Sequence, residues 1–201
     1  FLQNIEASLS SCARIIEIAP ESPMGWYGQG GAFLLTGNIA RAAKGFAEAI
    51  ERDPDDYEML SAMSNFWLHL GDVEQAEQWQ QRADAIGAGQ PRPIVSRLNL
   101  YIYREQHDLA RDLAGQSLDR KIEDRFGSNF VFRRTWAFES ARVGDYQSAL
   151  QPYREAFPWA FDTPFQPPAD LSKILWDVIE IAGLLKLAEP LSGRSSQLLD
   201  I

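Results

Sequence analysis

Residues 23–56 read PMGWYGQGGAFLLTGNIARAAKGFAEAIERDPDD, two helical stripes separated by a turn signal. Trp26, Gly30 and Phe33 recur at helical spacing, and the stripe stops at Gly37-Asn38, where glycine takes the left-handed conformation that ends a helix. Ala42, Phe46, Ala49 and Ile50 form the second stripe, which ends near Asp53-Pro54. The stretch therefore predicts a helix, a tight turn and a second helix. Gly30 and Ala42 are small enough to let the two helices approach closely, with the aromatic residues filling the space above and below.

The same residue types recur along the chain. Phe33, Trp67 and Tyr101 are 34 residues apart, as are Ala42, Ala76 and Ala110, Gly37 and Gly71, Ala49 and Ala83, and Pro20 and Pro54. Several residue types in one register indicate a stack of helical hairpins rather than chance. Repeats are thus expected over 23–56, 57–90 and 91–124. Ala149 lies 39 beyond Ala110, which places an insertion of five residues within 125–129. A fourth repeat follows over 130–156, with Trp136, Ala137, Gly144-Asp145-Tyr146, Ala149, Tyr153 and Ala156. Residues 170–201 read as a degenerate terminal helix pair around Ile179, Ala182, Gly183, Ser195 and Leu199. Residues 1–20 read as the end of a preceding repeat, and because the chain starts at Phe1 it is expected to be a piece of a longer protein.

These residues resemble the tetratricopeptide repeat family. The family's slots for a large residue, a small one, an aromatic, a turn glycine, an alanine, a second aromatic, a second alanine and a proline are filled by Trp26, Gly30, Phe33, Gly37, Ala42, Phe46, Ala49 and Pro54. The next stretch matches with Leu60, Ser64, Trp67, Gly71, Ala76 and Ala83, but has Gln80 at the second aromatic slot and Ala88 in place of proline. The third keeps Ile94, Tyr101, Ala110 and Leu118 and has Glu105 where glycine belongs, so an irregular turn is expected there. The resemblance implies an all-α, right-handed superhelical solenoid of antiparallel helix pairs, with about four to five repeats. It also implies that the first helix of each pair lines a concave groove that binds a peptide or partner segment. Residues 153–187 resemble the C-terminal repeats of bacterial proteins in which such an array follows a DNA-binding or cyclase domain, which suggests the repeat arm of a larger regulatory protein.

Carrying the groove-facing slots over residue by residue picks out Tyr27 in the first repeat, Asn65 and His69 in the second, Arg92, Asn99 and Tyr103 in the third, and Arg134, Phe138 and Arg142 in the fourth. Asn65 and Asn99 share a slot one repeat apart. A primary amide both donates and accepts, so such residues can hold an extended peptide backbone without reading its side chains, and arginine can take a carboxylate bidentately. The family's chaperone-tail binders use a clamp of lysines, asparagines and arginine; here the clamp slots hold Ser61, Ser96, Val131 and Thr135 around a single matching Asn65, which disfavours that ligand.

Composition narrows the function classes. With 201 residues, 45% of them hydrophobic and 11% aromatic, the chain can bury a continuous core. The net charge of −9 opposes direct nucleic-acid binding, although Arg111, Arg120, Lys121, Arg125, Arg133, Arg134 and Arg142 concentrate mid-chain; solvated helix faces with pairs such as Arg120 and Asp124 account for them. No apolar run is long enough to span a bilayer. The lone Cys12 leaves no internal disulfide, and cytoplasm is the default location. His69 and His107 are the only histidines and fit no zinc or triad spacing, so no catalytic, cofactor or metal site is expected and the chain reads as a non-enzymatic scaffold. Gly28-Gln29-Gly30-Gly31 lacks the lysine of a phosphate loop and reads as close helix packing; Asp53-Pro54-Asp55-Asp56 lacks the ligand pattern of an EF-hand and reads as an inter-repeat turn. The competing class is a small-ligand or enzyme-associated domain folded round a pocket near His69, Tyr103 and Arg134. Residues 157–168 combine aromatics with prolines and must pack on something, either the solenoid's own edge or a partner. Terminal repeats with apolar end faces are where a homodimer would form.

Overall fold

The computed structural model describes residues 2–120, 128–162, 167–168, 174–189 and 193–200. The described residues form α1 (Leu2–Ile18), α2 (Pro23–Leu35), α3 (Ile39–Arg52), α4 (Tyr57–His69), α5 (Val73–Gly87), α6 (Pro91–Tyr103), α7 (His107–Asp119), α8 (Ser128–Arg142), α9 (Tyr146–Ala156), a single 3-10 turn (Pro158–Ala160), α10 (Leu175–Ala188) and α11 (Arg194–Leu199). There is no strand among them. This is the all-α helical repeat architecture expected. The five-residue insertion expected within 125–129 lies outside the described residues up to 127, while Ser128 and Asn129 already belong to α8. Lys121, Asp124, Arg125 and Phe165 also lie outside them.

The repeat is written into the turns. Gly37, Gly71 and Gly144 all have φ between 73° and 81°, and at each the residue after the glycine donates its N–H five residues back. Asn38 N–H reaches the Phe33 carbonyl at 2.9 Å, Asp72 reaches Trp67 at 3.0 Å and Asp145 reaches Ser140 at 3.0 Å. A second bond from the glycine N–H itself completes the two-bond helix stop in which a left-handed residue satisfies orphan carbonyls. The same Asn or Asp then caps the following helix: Asn38, Asp72 and Asp145 each accept from the backbone N–H three residues on. One dipeptide thus closes one helix and opens the next.

The third turn corrects the expectation of irregularity. Glu105 adopts φ 57°, and Gln106 N–H reaches the Tyr101 carbonyl at 2.8 Å, so the geometry is that of the other three. It is held by its surroundings rather than by its residues: Glu105 pays the left-handed penalty of about 1–2 kcal/mol, and Gln106 makes no side-chain cap. Glu105→Gly is therefore expected to stabilise the protein by about 1 kcal/mol, and adding Gln106→Asp by about 1 kcal/mol more. Urea denaturation checks this, as a higher midpoint at unchanged slope.

The described chain divides into two compact units, Phe1–Leu100 and Tyr101–Ile201. In the first, α2 packs on α3 and α4 on α5, with α1 against α2. The closest backbone approach is between Gly30 and Gly45, where a β-carbon on Gly45 would sit 2.7 Å from the Gly30 nitrogen and 2.9 Å from the Trp26 carbonyl oxygen. The sequence pointed to Gly30 and Ala42; Ala42 is fully buried, but the residue that faces Gly30 is Gly45. Gly28-Gln29-Gly30-Gly31 lies inside α2, as its helical periodicity implied. Phe46, Phe66, Met59 and Met63 fill the core between the two pairs. Gln80, at the missing aromatic slot, is fully buried and donates to the Pro93 carbonyl at 2.8 Å and to Asp84 at 2.7 Å. Arg97 joins the same cluster, bonding Glu77 at 2.6 Å and Asp84 through Nε at 3.1 Å. Burial would lower the Arg97 pKa, but the two carboxylates outweigh it and push it up. A polar network on α5 and α6 thus takes the place of the aromatic.

In the second unit α7 packs on α8, α8 on α9, and α10 on α9 and α11. Its core gathers Ala137, Ala149, Leu150, Tyr153, Val178, Ile181, Ala182, Leu185 and Leu198, and Phe157, Trp159 and Phe161 of the proline-aromatic segment pack against it. Arg133 lies over the Phe157 ring at 5.1 Å and Arg154 over Phe161 at 4.5 Å. This part of the segment covers the protein's own core, the first of the two readings. Tyr153 is fully buried and its hydroxyl donates to Glu180. Burial, and then the Glu180 carboxylate, push the Tyr153 pKa up. A raised pKa means stability that is present below the ordinary tyrosine value near 10 and lost as pH rises through it. Tyr153→Phe is expected to cost about 1–1.5 kcal/mol at neutral pH, with the gap from wild type shrinking and then reversing above about pH 10. Melting temperatures of both proteins across that range check the sign.

Candidate functional site

The first helices of successive pairs, α2, α4 and α6, carry the first unit's candidate residues. Tyr27 on α2 is half-buried, its ring 5.9 Å from Phe46. Burial pushes the Tyr27 hydroxyl pKa above its ordinary value; the charge of Arg92 on α6 works against that shift, and Glu58 and Asp56 at the start of α4 add to it. Tyr27 and Arg92 are thereby within electrostatic reach of one another, although 65 residues separate them. Asp56 is itself spoken for, because its carboxylate caps α4 by accepting from Glu58 N–H at 2.7 Å and Met59 N–H at 3.2 Å.

Asn65 and Asn99 are brought together directly. Asn99 Nδ2 donates to Asn65 Oδ1 at 2.9 Å, and Asn65 Nδ2 donates to the Ser61 carbonyl at 3.1 Å. The shared slot seen in the sequence is a physical ladder of amides running from α4 to α6. Both side chains are half-buried, and an amide has two donor hydrogens and an acceptor oxygen with two lone pairs. The ladder therefore fixes the orientation of both amides and leaves on each a second N–H, and the Asn99 oxygen, beyond the bonds named. His69 lies one helical turn past Asn65 and is exposed. Ser61 and Ser96, two of the clamp slots, are buried: Ser96 Oγ donates to the Ser61 carbonyl at 3.2 Å and Ser61 Oγ to the Tyr57 carbonyl at 2.6 Å. Those positions serve helix packing.

In the second unit Arg134, Phe138 and Arg142 lie one turn apart along α8 and are all exposed, Phe138 at 65%. Both arginines are engaged with acids of their own unit. Arg134 Nε lies 2.7 Å from Glu180, and Arg142 Nε lies 3.0 Å from Glu139 Oε2. Glu139 is 1% exposed, and the same Oε2 is 3.0 Å from His107 Nδ1. Tyr103, at the end of α6, is exposed. Sequence reading missed Glu139 and Glu180 as partners. The spacing of Glu139 and Arg142 was readable on one helix; that of Arg134 and Glu180, on α8 and α10, carried no local signal.

A family profile described as a tetratricopeptide repeat matches residues 2–57 and 27–91. No curated protein matches the sequence. Among solved structures, a thermophilic tetratricopeptide repeat protein of Thermus thermophilus is similar at 19% identity and a TM-score of 0.65, covering 100% of this chain and 93% of its own. A tetratricopeptide repeat protein of Parabacteroides merdae is similar at 12% identity and a TM-score of 0.66, with 99% of this chain and 71% of that one covered. YrrB, described as a tetratricopeptide repeat protein with an unusual peptide-binding site, is similar at 14% identity and a TM-score of 0.52, covering 94% and 89%. At these identities the likeness is one of fold. The repeat register, the recurring turn and the profile match agree: residues 2–91 match the tetratricopeptide repeat family, and the chain shares the fold of tetratricopeptide repeat proteins.

Proposed function

We propose that this chain is a non-enzymatic protein-interaction scaffold, and that an extended segment of a partner lies across α2, α4 and α6 with its backbone held by Asn65 and Asn99. The carrying observation is the Asn99-to-Asn65 bond of 2.9 Å, which orients two amides in one row at repeat spacing. Such a row suits an extended peptide, whose amides and carbonyls alternate along one edge, and hydrogen bonds to the main chain give affinity that tolerates varied side chains. Tyr27 on α2 and Arg92 on α6, within electrostatic reach of one another, add an aromatic face and a cation to the same set of helices, which suits a partner segment carrying a carboxylate. YrrB, of the same fold, is described as peptide-binding, which is the use proposed here. Among the described residues no helix is long and apolar enough to cross a membrane.

Selection of displayed random peptides against the whole chain, followed by titration of the retained peptides, tests this. Asn65→Ala with Asn99→Ala is expected to weaken binding at least about tenfold, or 1.4 kcal/mol, with far-UV circular dichroism unchanged. Equal affinity for the double variant would remove the amide row from the binding surface. Arg134 is left out of that variant, because its contact with Glu180 makes it part of the second unit's framework.

A further inference from the structure

The bond between Asn99 and Asn65 needs α6 in one register against α4, because a side-chain pair at 2.9 Å tolerates little axial slip. Apolar packing is non-directional and fixes such a register weakly, whereas hydrogen bonds demand a distance and an angle. Polar bonds hold α6 from both sides at this level. Toward α4, Ser96 Oγ donates to the Ser61 carbonyl at 3.2 Å, the same oxygen that accepts from Asn65 Nδ2 at 3.1 Å. Asn99 lies three residues past Ser96 and Asn65 four past Ser61, so this one bond brings the two amides level. Toward α5, Gln80 Nε2 donates to the Pro93 carbonyl at 2.8 Å, and Arg97 reaches Asp84 through Nε at 3.1 Å. Gln80 stands in the slot that Phe46 fills 34 residues earlier. Its side-chain oxygen is buried with no partner among the described residues, which makes it a costly filling compared with a ring. What it supplies that a ring does not is a donor aimed at α6.

We infer that Ser96 and Gln80 are positioning residues for the Asn65 and Asn99 pair. Both are fully buried and act through α6 rather than on a partner. Ser96 sets the height of α6 on α4, and Gln80 holds the first turns of α6 to α5. Together they keep Asn99 where its amide meets Asn65. Buried polar groups used in this way select one arrangement of helices among several of similar packing energy. The inference deepens the reading of the amide row as the holder of a partner's backbone and rests on it.

The test uses the whole chain with Ser96→Ala, Gln80→Met and, as control, Ser64→Ala. Ser64 is also fully buried, but its hydroxyl donates to the Ala76 carbonyl at 2.9 Å within the α4–α5 pair and does not touch α6. Methionine matches glutamine in size, and Asp84 keeps Arg97 when Gln80 is replaced. Exchange of the Asn99 Nδ2 hydrogens with water is measured first by nuclear magnetic resonance, without peptide. It is expected to speed up at least about threefold in Ser96→Ala and in Gln80→Met, and to stay at the wild-type rate in Ser64→Ala. Titration of the selected peptides is then expected to show binding weakened at least about threefold by the first two changes and unaltered by the third. Wild-type exchange in both Ser96→Ala and Gln80→Met, equal acceleration in Ser64→Ala, or faster exchange with undiminished affinity would each overturn the positioning role. The exchange measurement needs no peptide, so a chain that binds none would count against the amide row alone.

Discussion

Phe66→Ala is expected to cost about 3–5 kcal/mol, the scale of a fully buried phenylalanine removed from a packed core. Phe66 is 1% exposed on α4, and its ring meets Phe46 of α3 edge-on at 5.6 Å and Trp67 at 5.4 Å. It therefore joins one helix pair to the next rather than filling a single hairpin. In a repeat array, stability is close to a sum of repeat terms and nearest-neighbour interfaces. The loss is expected to be local: hydrogen exchange should speed up in α2 to α5 while the second unit's core around Tyr153 and Ile181 keeps its protection. Uniform acceleration in both units would show that the chain unfolds as one cooperative body.

Gly45→Val is expected to cost about 3 kcal/mol, and here the obstacle is backbone. A β-carbon at this position meets the Gly30 nitrogen, the Gly30 α-carbon and the Trp26 carbonyl, all under 3.0 Å, so α2 and α3 have to move apart. Overpacking of this kind costs about 1–3 kcal/mol, and valine's second branch adds to it. Helix propensity works the other way by up to about 1 kcal/mol when glycine is replaced, which is too little to reverse the sign. Gly31→Ala is the control. It lies on the same α2 with nothing within 4 Å of the added carbon, so propensity acts alone and the protein should gain about 0.5–1 kcal/mol. Opposite signs at two glycines on the two helices of one hairpin, read from denaturation midpoints, would establish that close approach and not glycine itself is what α2 and α3 require.

Much of the fold was legible because the repeat is enforced by local chemistry. Ala42, Ala76, Ala110 and Ala149 are each fully buried, and the left-handed glycines fall where Gly37, Gly71 and Gly144 pointed. Glu105 was misread for an instructive reason: sequence reports the residue that suits a turn, whereas the neighbouring helices decide which turn is made. Residues 1–20 gave only the end of a helix by pattern, because most of α1 is exposed and lacks a two-sided stripe; in the structure α1 runs from Leu2 to Ile18.

The candidate site was legible in its positions and illegible in its bonds. Asn65 and Asn99 were placed in one slot by the period, but that one donates to the other depends on rotamers that no spacing reveals. Arg134 and Arg142 were read as groove-facing residues for a partner's carboxylate, yet acids of the chain itself, Glu180 and Glu139, already engage them. Gln80 looked like a departure from the family pattern; its meaning emerged only with Arg97, Glu77 and Asp84 around it. Contacts between residues far apart in sequence, such as Arg133 with Asp177, belong to tertiary packing and leave no periodic trace.

The most direct test of the account is nuclear magnetic resonance of the side-chain amide groups of Asn65 and Asn99, followed while a selected peptide is titrated into the whole chain. Both pairs of NH2 resonances are expected to move together, along one binding curve, because the two amides are bonded to each other and would meet the same backbone. Saturable peptide binding that leaves both pairs unmoved would contradict the assignment of this face as the partner-binding surface.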